Sequence, residues 1–299
     1  IYIPTKRFPA ISVTGIECAL ECEHCSKKYL KGMKDLVDNK DLEQFLIELY
    51  KNNGVGALIS GGSNHDGSVP ILNFLDTIQK VKRNTNLIIN THTGLLNKET
   101  AEKLADANVD IVSFDVNMDD EVVRNIYHLD IELNEYKRAI DLLIKYKLNI
   151  VPHICVGLYY GILNKELDSI KFIKETLKNP SLIVVIALIP PKNSKLKFNM
   201  PKPKDIAKII ALLRFIFPKT EISLGCMRPR GRIKTEVERY AIKAGITRIE
   251  IPSRDTLKWL KKYNQEVQFK FFSACCAIPK KFENLAESNQ RDIKRYIKI

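Results

Sequence analysis

Three observations predict a parallel α/β barrel of the (β/α)8 TIM type. Strand-like and helix-like patterns alternate eight times over about 260 residues, which is the size and rhythm of such a barrel. The middles of the predicted strands are rich in Val, Ile and Leu, as expected of strands buried on both faces. No internal repeat, low-complexity tract or Pro/Gly/Ser-rich linker interrupts the alternation. A doubly wound open sheet would show the same alternation, and a six-stranded partial barrel is the other alternative.

The elements follow one another without a break. The predicted strands span residues 10–14, 55–60, 86–92, 109–115, 149–156, 181–190, 221–226 and 248–251. The predicted helices span residues 41–50, 71–81, 100–107, 133–146, 166–177, 205–217, 235–244 and 255–263. The first helix places Leu42, Leu46 and Leu49 on one face, and Gly245 is a good C-terminal stop for the seventh. We assign residues 1–266 to the barrel and residues 267–299 to a C-terminal extension, with a strand-like run at 268–272 and a charged helix at 283–299.

Composition indicates a soluble globular protein, with 45% hydrophobic and 28% charged residues. No apolar run reaches the roughly 18 residues that cross a bilayer, and no secretory signal is evident. Seven cysteines, three of them tightly clustered, fit a reducing compartment, so we expect a cytoplasmic protein. The net charge of +13 would suit an acidic partner, either nucleic acid or an acidic carrier protein. The lysines are scattered without a long basic block, which favours an ordinary solvated surface.

The run Cys18-Ala-Leu-Glu-Cys22-Glu-His24-Cys25 is the most specific motif of the chain. Three thiolates within eight residues can converge on one soft metal centre, and thiolates are the ligands of iron–sulfur clusters. A cluster usually takes four cysteines, and the next one here is Cys155, so three ligands would leave one iron open. The alternative is zinc with His24 as fourth ligand, but a histidine wedged between two cysteines suits one tetrahedral site poorly.

Polar and glycine residues accumulate where the predicted strands end. In parallel β/α folds this is the edge at which ligands bind. The second strand is followed by Gly61-Gly62-Ser63, the third ends at His92, the fourth ends at Asp115, and the fifth runs through His153 and Cys155 to Gly157. Glycines here would let the backbone approach a ligand closely.

With these residues the chain resembles the radical S-adenosylmethionine (radical SAM) enzymes of the biotin synthase and lipoyl synthase type, over nearly its whole length. The resemblance implies that Cys18, Cys22 and Cys25 bind a [4Fe–4S] cluster whose open iron chelates S-adenosylmethionine. It implies reductive cleavage to methionine and a 5′-deoxyadenosyl radical that abstracts hydrogen from an unactivated carbon.

The resemblance also implies roles for single residues around the cofactor. Gly61-Gly62-Ser63 corresponds to a G-G-E motif whose backbone and acid hold the methionine amine, with Ser63 in place of the acid. His24 occupies the aromatic position near the adenine, Asp115 is a ribose contact, and Gly157 lies in the glycine motif beside the adenine. Pro190-Pro191-Lys192-Asn193-Ser194 matches the family's P-G-T turn only in part.

Four further cysteines are candidates for an auxiliary iron–sulfur cluster. Cys155 and Cys226 come from strands five and seven at the same mouth, and we expect Cys275 and Cys276 to fold over it. In biotin synthase a second cluster, bound by cysteines and one arginine, supplies sulfur; here Arg228 and Arg230 flank Cys226. The alternative is that these cysteines are small apolar core residues.

Two segments, Pro9-Ala-Ile-Ser-Val-Thr-Gly15 and Gly225-Cys-Met-Arg-Pro-Arg-Gly231, further resemble the biotin-synthase-like subunits of the two-component lipoyl synthase. This implies sulfur insertion into a protein-bound octanoyl chain. The implied partners are an octanoylated lipoyl carrier, a second radical SAM subunit and an electron donor such as ferredoxin or flavodoxin. The alternatives are a radical SAM enzyme of cofactor biosynthesis or RNA modification without sulfur insertion, and a zinc-binding structural protein. No appended RNA-binding domain is evident, so nucleic acid is not an expected partner. Because no apolar run is long enough to cross a bilayer, a membrane is not expected either.

Overall fold

The computed structural model describes residues 1–192, 194, 196–289 and 293. Its centre is a nine-stranded parallel sheet in the order β2-β1-β3-β4-β5-β6-β7-β8-β9. The strands are β1 Ala10–Ser12, β2 Lys34–Asp35, β3 Gly56–Ser60, β4 Ile88–His92, β5 Ile111–Asp115, β6 Ile150–Val156, β7 Leu182–Ala187, β8 Glu221–Leu224 and β9 Arg248–Ile249. From β3 onward each strand pairs with the next one in the chain, and a helical crossover joins them. The predicted parallel α/β barrel architecture is confirmed, in the form of a TIM-type partial barrel.

The helices are α1 Asn39–Lys51, α2 Leu75–Asn84, α3 Lys98–Asp106, α4 Asn134–Lys145, α5 Glu166–Leu177, α6 Pro203–Ile216, α7 Arg232–Lys243, α8 Arg254–Tyr263 and α9 Glu283–Ala286. Short 3-10 turns lie at Leu30–Gly32, Ile71–Phe74 and Lys280–Phe282, and a π-helical turn lies at Val122–Ile126. Asp38 caps α1 by accepting from the Lys40 and Asp41 amides, and Ser253 caps α8 by accepting from the Thr256 amide. No helix in the described part of the chain is both long and apolar enough to span a bilayer.

The structure adds one strand that was not predicted, and it changes two predicted elements of the C-terminal extension. Strand β2 was not predicted because its two residues, Lys34 and Asp35, are exposed and carry no apolar signal. The predicted strand at 268–272 is reduced to single bridges from Phe272 to Tyr2 and Glu287. Of the charged helix predicted at 283–299, α9 is present, whereas residues 290–292 and 294–299, like Asn193 of the partial turn match, lie outside the described residues.

The apolar core has two main parts. The larger part fills the layer between the sheet and the surrounding helices, with Leu42, Leu46, Ile78 and Leu213 among its fully buried members. The smaller part closes the end of the barrel at which the strands begin, where Ile88, Ile111, Val151 and Leu182 meet.

The C-terminal extension enters this smaller core. Ala274, Cys276, Ala277 and Ile278 are buried among the residues that begin the strands. The expectation that Cys275 and Cys276 fold over the barrel mouth is therefore wrong. The physical reason is that apolar residues at the amino ends of the strands need a cover, and this tail supplies apolar side chains to match.

Candidate active site at the carboxyl ends of the strands

The cysteine motif lies in the loop that follows β1, at the carboxyl end of that strand. Consecutive turns coil this loop, since the amides of Cys25 and Ser26 both donate to the carbonyl of Cys22. Ser26 and Lys27 take left-handed backbone conformations, with φ of 47° and 60°. All three thiols are half-buried. Burial raises the pKa of Cys22 to about 12, and the thiols of Cys25 and Cys18 raise it further.

Backbone amides point at two of these sulfurs. The amide of Ser63 donates to Cys18 Sγ over 3.2 Å. The amides of Tyr29 and Lys27 donate to Cys25, which partly offsets the rise in its pKa caused by burial. Amide donors favour the thiolate form and are typical of sulfurs that bind iron–sulfur clusters.

Among the described residues, no three His, Cys, Asp or Glu side chains are arranged to hold a single metal ion. An iron–sulfur cluster makes a different demand, because each cysteine binds its own iron. Three neighbouring thiols with amide donors fit such a cluster, whereas the zinc alternative would require them to converge on one ion.

The glycine pair after β3 packs directly on the cysteine loop. The Gly62 amide donates to Thr14 Oγ1 over 2.7 Å, and the Ala19 amide donates to the Ser63 carbonyl over 2.7 Å. A Cβ atom at Gly62 would lie 2.0 Å from the Glu17 carbonyl oxygen, so no side chain fits there. The structure therefore brings Gly61-Gly62-Ser63 and the cysteines to one mouth, as predicted.

His24 packs its ring against Tyr127, and it forms no metal-holding group with the three cysteines among the described residues. The ring lies 5.2 Å from that of Tyr127, and Nδ1 is buried without a hydrogen-bond partner in the described structure. Burial lowers the pKa of His24 to about 4, and Lys28 adds to the effect, so the imidazole is neutral near pH 7. This unpaired buried nitrogen is available to a polar group of a bound molecule.

Asp115, His92 and His153 project into the barrel near the mouth. Asp115 ends β5 and is exposed, and its register partner on β6 is His153. The rings of His92 and His153 lie 5.3 Å apart. Burial lowers the pKa of His153 to about 4, an effect that the Asp115 carboxylate partly offsets. The result is a carboxylate beside two neutral imidazoles, one of which has an unpaired Nδ1.

A pocket lies beside the ends of β5 and β6. Asn117, Cys155, Leu158 and Glu166 are among its lining residues. Glu166 fixes the loop of Gly157, because its carboxylate accepts from the Gly157 and Asn164 amides over 2.8 Å each. Sequence reasoning did not identify Glu166, although a carboxylate at the start of α5, nine residues after a strand-end glycine, was a usable signal.

A second group of cysteines lies inside the barrel around Glu250. The Cys276 amide donates to Glu250 Oε2 over 3.2 Å, and Asn90 Nδ2 lies 3.6 Å from Cys275 Sγ. The pKa of Cys226 is raised to about 12, first by Glu250, then by burial and by Cys275. Thus the structure brings together Cys226, Cys275 and Cys276, and places the unpredicted Glu250 among them.

The structure does not show Cys155, Arg228 and Arg230 as members of this second cysteine group. Cys155 and Glu166 line the pocket beside the ends of β5 and β6. Burial raises the pKa of Cys155, and Asp115 and Glu166 raise it further. Arg228 is committed elsewhere: its guanidinium donates to the buried Glu238 carboxylate and to the Gly225, Glu250 and Ile251 carbonyls. Arg230 is exposed.

A family model described as the Radical SAM superfamily matches residues 12–177, more than half of the chain. This match begins at the end of β1 and contains the cysteine loop and the glycine pair. The chain belongs to the radical SAM superfamily. Membership implies an enzyme that uses a [4Fe–4S] cluster and S-adenosylmethionine, and the three clustered thiols with their amide donors fit that cluster.

Curated relatives of this radical SAM protein include two biotin synthases. That of Buchnera aphidicola subsp. Acyrthosiphon pisum (strain APS) is 25% identical over 235 residues, covering 76% of this chain and 66% of the relative. That of Clostridioides difficile (strain 630) is 26% identical over 214 residues, covering 69% of this chain and 64% of the relative. The match thus spans slightly less than two thirds of each relative.

Solved radical SAM structures share the fold. The FeFe-hydrogenase maturase HydG from Carboxydothermus hydrogenoformans has a TM-score of 0.65 at 17% identity and covers 94% of this chain and 70% of its own. Methylornithine synthase (PylB) has a TM-score of 0.60 at 16% identity, and the match covers 99% of this chain and 85% of the PylB chain. At these identities the likeness establishes the fold of the radical SAM barrel.

Proposed function

We propose that this radical SAM enzyme inserts sulfur into a protein-bound octanoyl chain, as one component of a lipoyl synthase. The observation that carries the proposal is the presence of two separate cysteine groups in one barrel. Cys18, Cys22 and Cys25 lie at the mouth, and Cys226, Cys275 and Cys276 lie around Glu250 inside. Hydrogen abstraction needs only the first group, whereas forming a carbon–sulfur bond also needs a sulfur atom held near the reacting carbon.

The first group would hold the [4Fe–4S] cluster, with the Ser63, Lys27 and Tyr29 amides directed at its cysteine sulfurs. When bound with S-adenosylmethionine, this cluster supplies the electron and the 5′-deoxyadenosyl radical for hydrogen abstraction. The electron donor would be a ferredoxin or flavodoxin.

The chain's own residues would position S-adenosylmethionine and keep water away. The backbone at Gly61-Gly62-Ser63 lies against the cysteine loop, where it can meet the methionine part; Ser63 offers a hydroxyl in place of a carboxylate. Asp115 is exposed at the mouth and can accept from ribose hydroxyls. Gly157, held by Glu166, and the buried ring of His24 flank the adenine side.

The second group would hold an auxiliary iron–sulfur cluster that supplies the sulfur. Cys226 is exposed and Cys275 is half-buried, so both are accessible to a cluster. Cys276 is buried and its thiol donates to Glu250, which makes it the weaker ligand candidate of the adjacent pair. Cys155, which lines the pocket beside the ends of β5 and β6, remains a candidate fourth ligand.

The names of the relatives and the sequence resemblance support the sulfur step. The matched relatives are biotin synthases. The Pro9–Gly15 and Gly225–Gly231 segments resemble the two-component lipoyl synthase, whose reaction would require a second radical SAM subunit and an octanoylated lipoyl carrier.

The test is made with anaerobically reconstituted protein. Iron and sulfide content with Mössbauer spectra should show clearly more than about four irons per chain, the content of a single cluster. Cys226→Ala should retain 5′-deoxyadenosine formation but lose sulfur addition to an octanoyl-lysine peptide, followed by mass spectrometry with the partner subunit present. Met227→Leu, at the next residue, is the matched control and should behave as wild type. Full sulfur insertion by Cys226→Ala, or none by wild type, contradicts the proposal.

A second candidate is a radical SAM enzyme of cofactor biosynthesis that adds no sulfur. The polar barrel interior favours it: Asp115, His92 and His153 face inward, and Ser113 donates to Asn90 over 2.9 Å. Such an interior suits a small polar substrate better than an alkyl chain. An iron content of about four per chain, with 5′-deoxyadenosine formed but no thiolated product, would establish this alternative.

A further inference from the structure

The connection from β7 to α6, taken together with the first two residues of α6 as residues 188–204, concentrates positive charge. It contains five lysines and no Asp or Glu, so it supplies +5 of the net +13. With 35 acidic residues in 299, a stretch of 17 would on average contain about two. The lysines alternate with Pro, Phe, Asn and Met, and for that reason they do not form a contiguous basic block.

The described residues of this segment, 188–192, 194 and 196–204, which we call the basic rim, lie directly beside the proposed cluster site. Lys28 of the cysteine loop donates to the Ile189 carbonyl over 3.0 Å, and Ser194 donates to Glu23 over 3.0 Å. Its described lysines, at positions 192, 197, 202 and 204, are all exposed. A protein that contacts the basic rim would therefore stand next to the mouth of the barrel.

The basic rim is fixed against the loop after β6 and displays apolar side chains. The Asn199 amide donates to the Tyr160 carbonyl over 2.9 Å, and the rings of Tyr160 and Phe198 lie 5.6 Å apart. Next to this pair, Ile162 is 48% exposed and Met200 is 45% exposed. Exposed apolar side chains ringed by charge are typical of protein–protein interfaces.

We propose that the basic rim, together with Ile162, is the docking surface for an acidic protein that carries the substrate on a flexible arm. Lysines around the mouth would steer a negatively charged carrier toward it, and Ile162 and Met200 would provide the apolar contact. Docking there would leave the arm free to enter the barrel, because the cysteine loop forms the adjoining edge of the mouth.

The chemistry of the surface favours a protein over a nucleic acid. Residues 188–204 contain lysines but no arginine, the residue best suited to bidentate phosphate recognition. Single-stranded nucleic acids stack bases on open aromatic faces. Here Tyr160 and Phe198 are half-buried and pack on each other. The side chains left exposed are aliphatic, which suits a protein partner.

The inference rests on the proposed function for the nature of the carried group, but its test measures binding. The probe is an octanoylated lipoyl carrier domain, titrated calorimetrically at low and at physiological ionic strength. Lys192→Glu/Lys197→Glu and Lys202→Glu/Lys204→Glu reverse the charge of the rim. Lys51→Glu/Lys219→Glu is the matched control, since it changes net charge equally at exposed sites near the other ends of the strands.

The rim variants should weaken carrier binding about tenfold or more, and the effect should shrink at higher salt. The control should stay within about twofold of wild type. Equal loss in rim and control variants, no binding by wild type, or tighter rim-dependent binding of transfer RNA would each overturn the docking inference. Rim-dependent binding without sulfur addition would leave docking intact and refute sulfur insertion. Sulfur addition to a free octanoyl-lysine peptide without carrier binding would support sulfur insertion and refute the docking inference.

Discussion

The Cys22 thiol is close enough to Cys18 and Cys25 for both neighbours to raise its pKa. Each of the three thiols would become a thiolate on binding iron. A cluster held by three ligands from one loop depends on every one of them, because no other cysteine shares that loop.

We therefore expect Cys18→Ala, Cys22→Ala and Cys25→Ala each to abolish 5′-deoxyadenosine formation while the barrel stays folded. The nucleoside would be measured by liquid chromatography, and folding by circular dichroism. Glu21→Ala is the matched control, since Glu21 is an exposed residue of the same loop. Retained 5′-deoxyadenosine in any of the three cysteine variants would contradict the assignment.

His92 and His153 should make the fold sensitive to acid. Burial lowers the pKa of both, to about 4 for His153, whereas in the unfolded chain both return to an ordinary value of about 6.5. The unfolded state then binds more protons than the folded state below that value, so stability is complete above it and falls toward pH 4. His153→Gln should flatten this acid limb in urea titrations from about pH 7 down to about pH 5. His65→Gln, at an exposed histidine, should keep the wild-type profile.

At the scale of elements, the segments after β3 and β7 form hydrogen bonds with the cysteine loop. A buried ion pair connects the end of β8 to α7. The loop after β3 reaches the cysteines through Gly62, and the connection after β7 reaches them through Lys28. Arg228 and Glu238 join the end of β8 to α7 and, through the Glu250 and Ile251 carbonyls, to the segment after β9.

Gly62→Ala should displace the cysteine loop. The added Cβ would lie 2.0 Å from the Glu17 carbonyl and 2.5 Å from Cys18 Cβ, and neither backbone can yield without moving Cys18. We expect a loss of stability of about 1–3 kcal/mol and a lower iron content after reconstitution. Gly32→Ala is the control, because a Cβ there meets nothing within 4 Å. Equal iron content in both variants would show that the contact does not position the cysteines.

Removing the Glu238 carboxylate should destabilise the β8–α7–β9 region. Glu238 and Arg228 are almost fully buried, 2.7 Å apart, and Glu238 also accepts from Ser253 and Thr256. Glu238→Ala would leave the guanidinium buried without its counter-charge, at a cost of about 3–5 kcal/mol. Chemical denaturation would measure it, with the exposed Glu236→Ala as control. A change equal to that of the control would mean that the carbonyl bonds alone satisfy Arg228.

For the molecule as a whole, the sequence predicted the elements whose burial follows a regular pattern along the chain. Strands buried on both faces, such as β6 and β7, are nearly continuous apolar runs, and amphipathic helices such as α5 have matching bounds in prediction and structure. Local spacing also indicated the cysteine loop, since its three thiols meet without help from distant residues.

What the sequence did not indicate depends on contacts between distant residues. Glu250 joins the second cysteine group only because β9 and the tail meet inside the barrel. The two exposed residues of β2 have no periodicity to detect. The basic rim was missed because its lysines are interleaved with other residues, so that only their shared position after β7 reveals the cluster.

The C-terminal tail shows most clearly how contacts between distant residues complete the core of the barrel. Ile278 is fully buried with Ile88, Ile111 and Leu182 at the amino ends of the strands, so the barrel core is incomplete without it. Ile278→Ala should cost about 2–5 kcal/mol in the free energy of unfolding, in a single transition with the barrel. The control is Leu285→Ala in the same tail, where the side chain is 47% exposed and the cost should be small. If the tail were instead an independent appendage, Ile278→Ala would leave the main unfolding transition in place, and a chain ending at residue 272 would still fold.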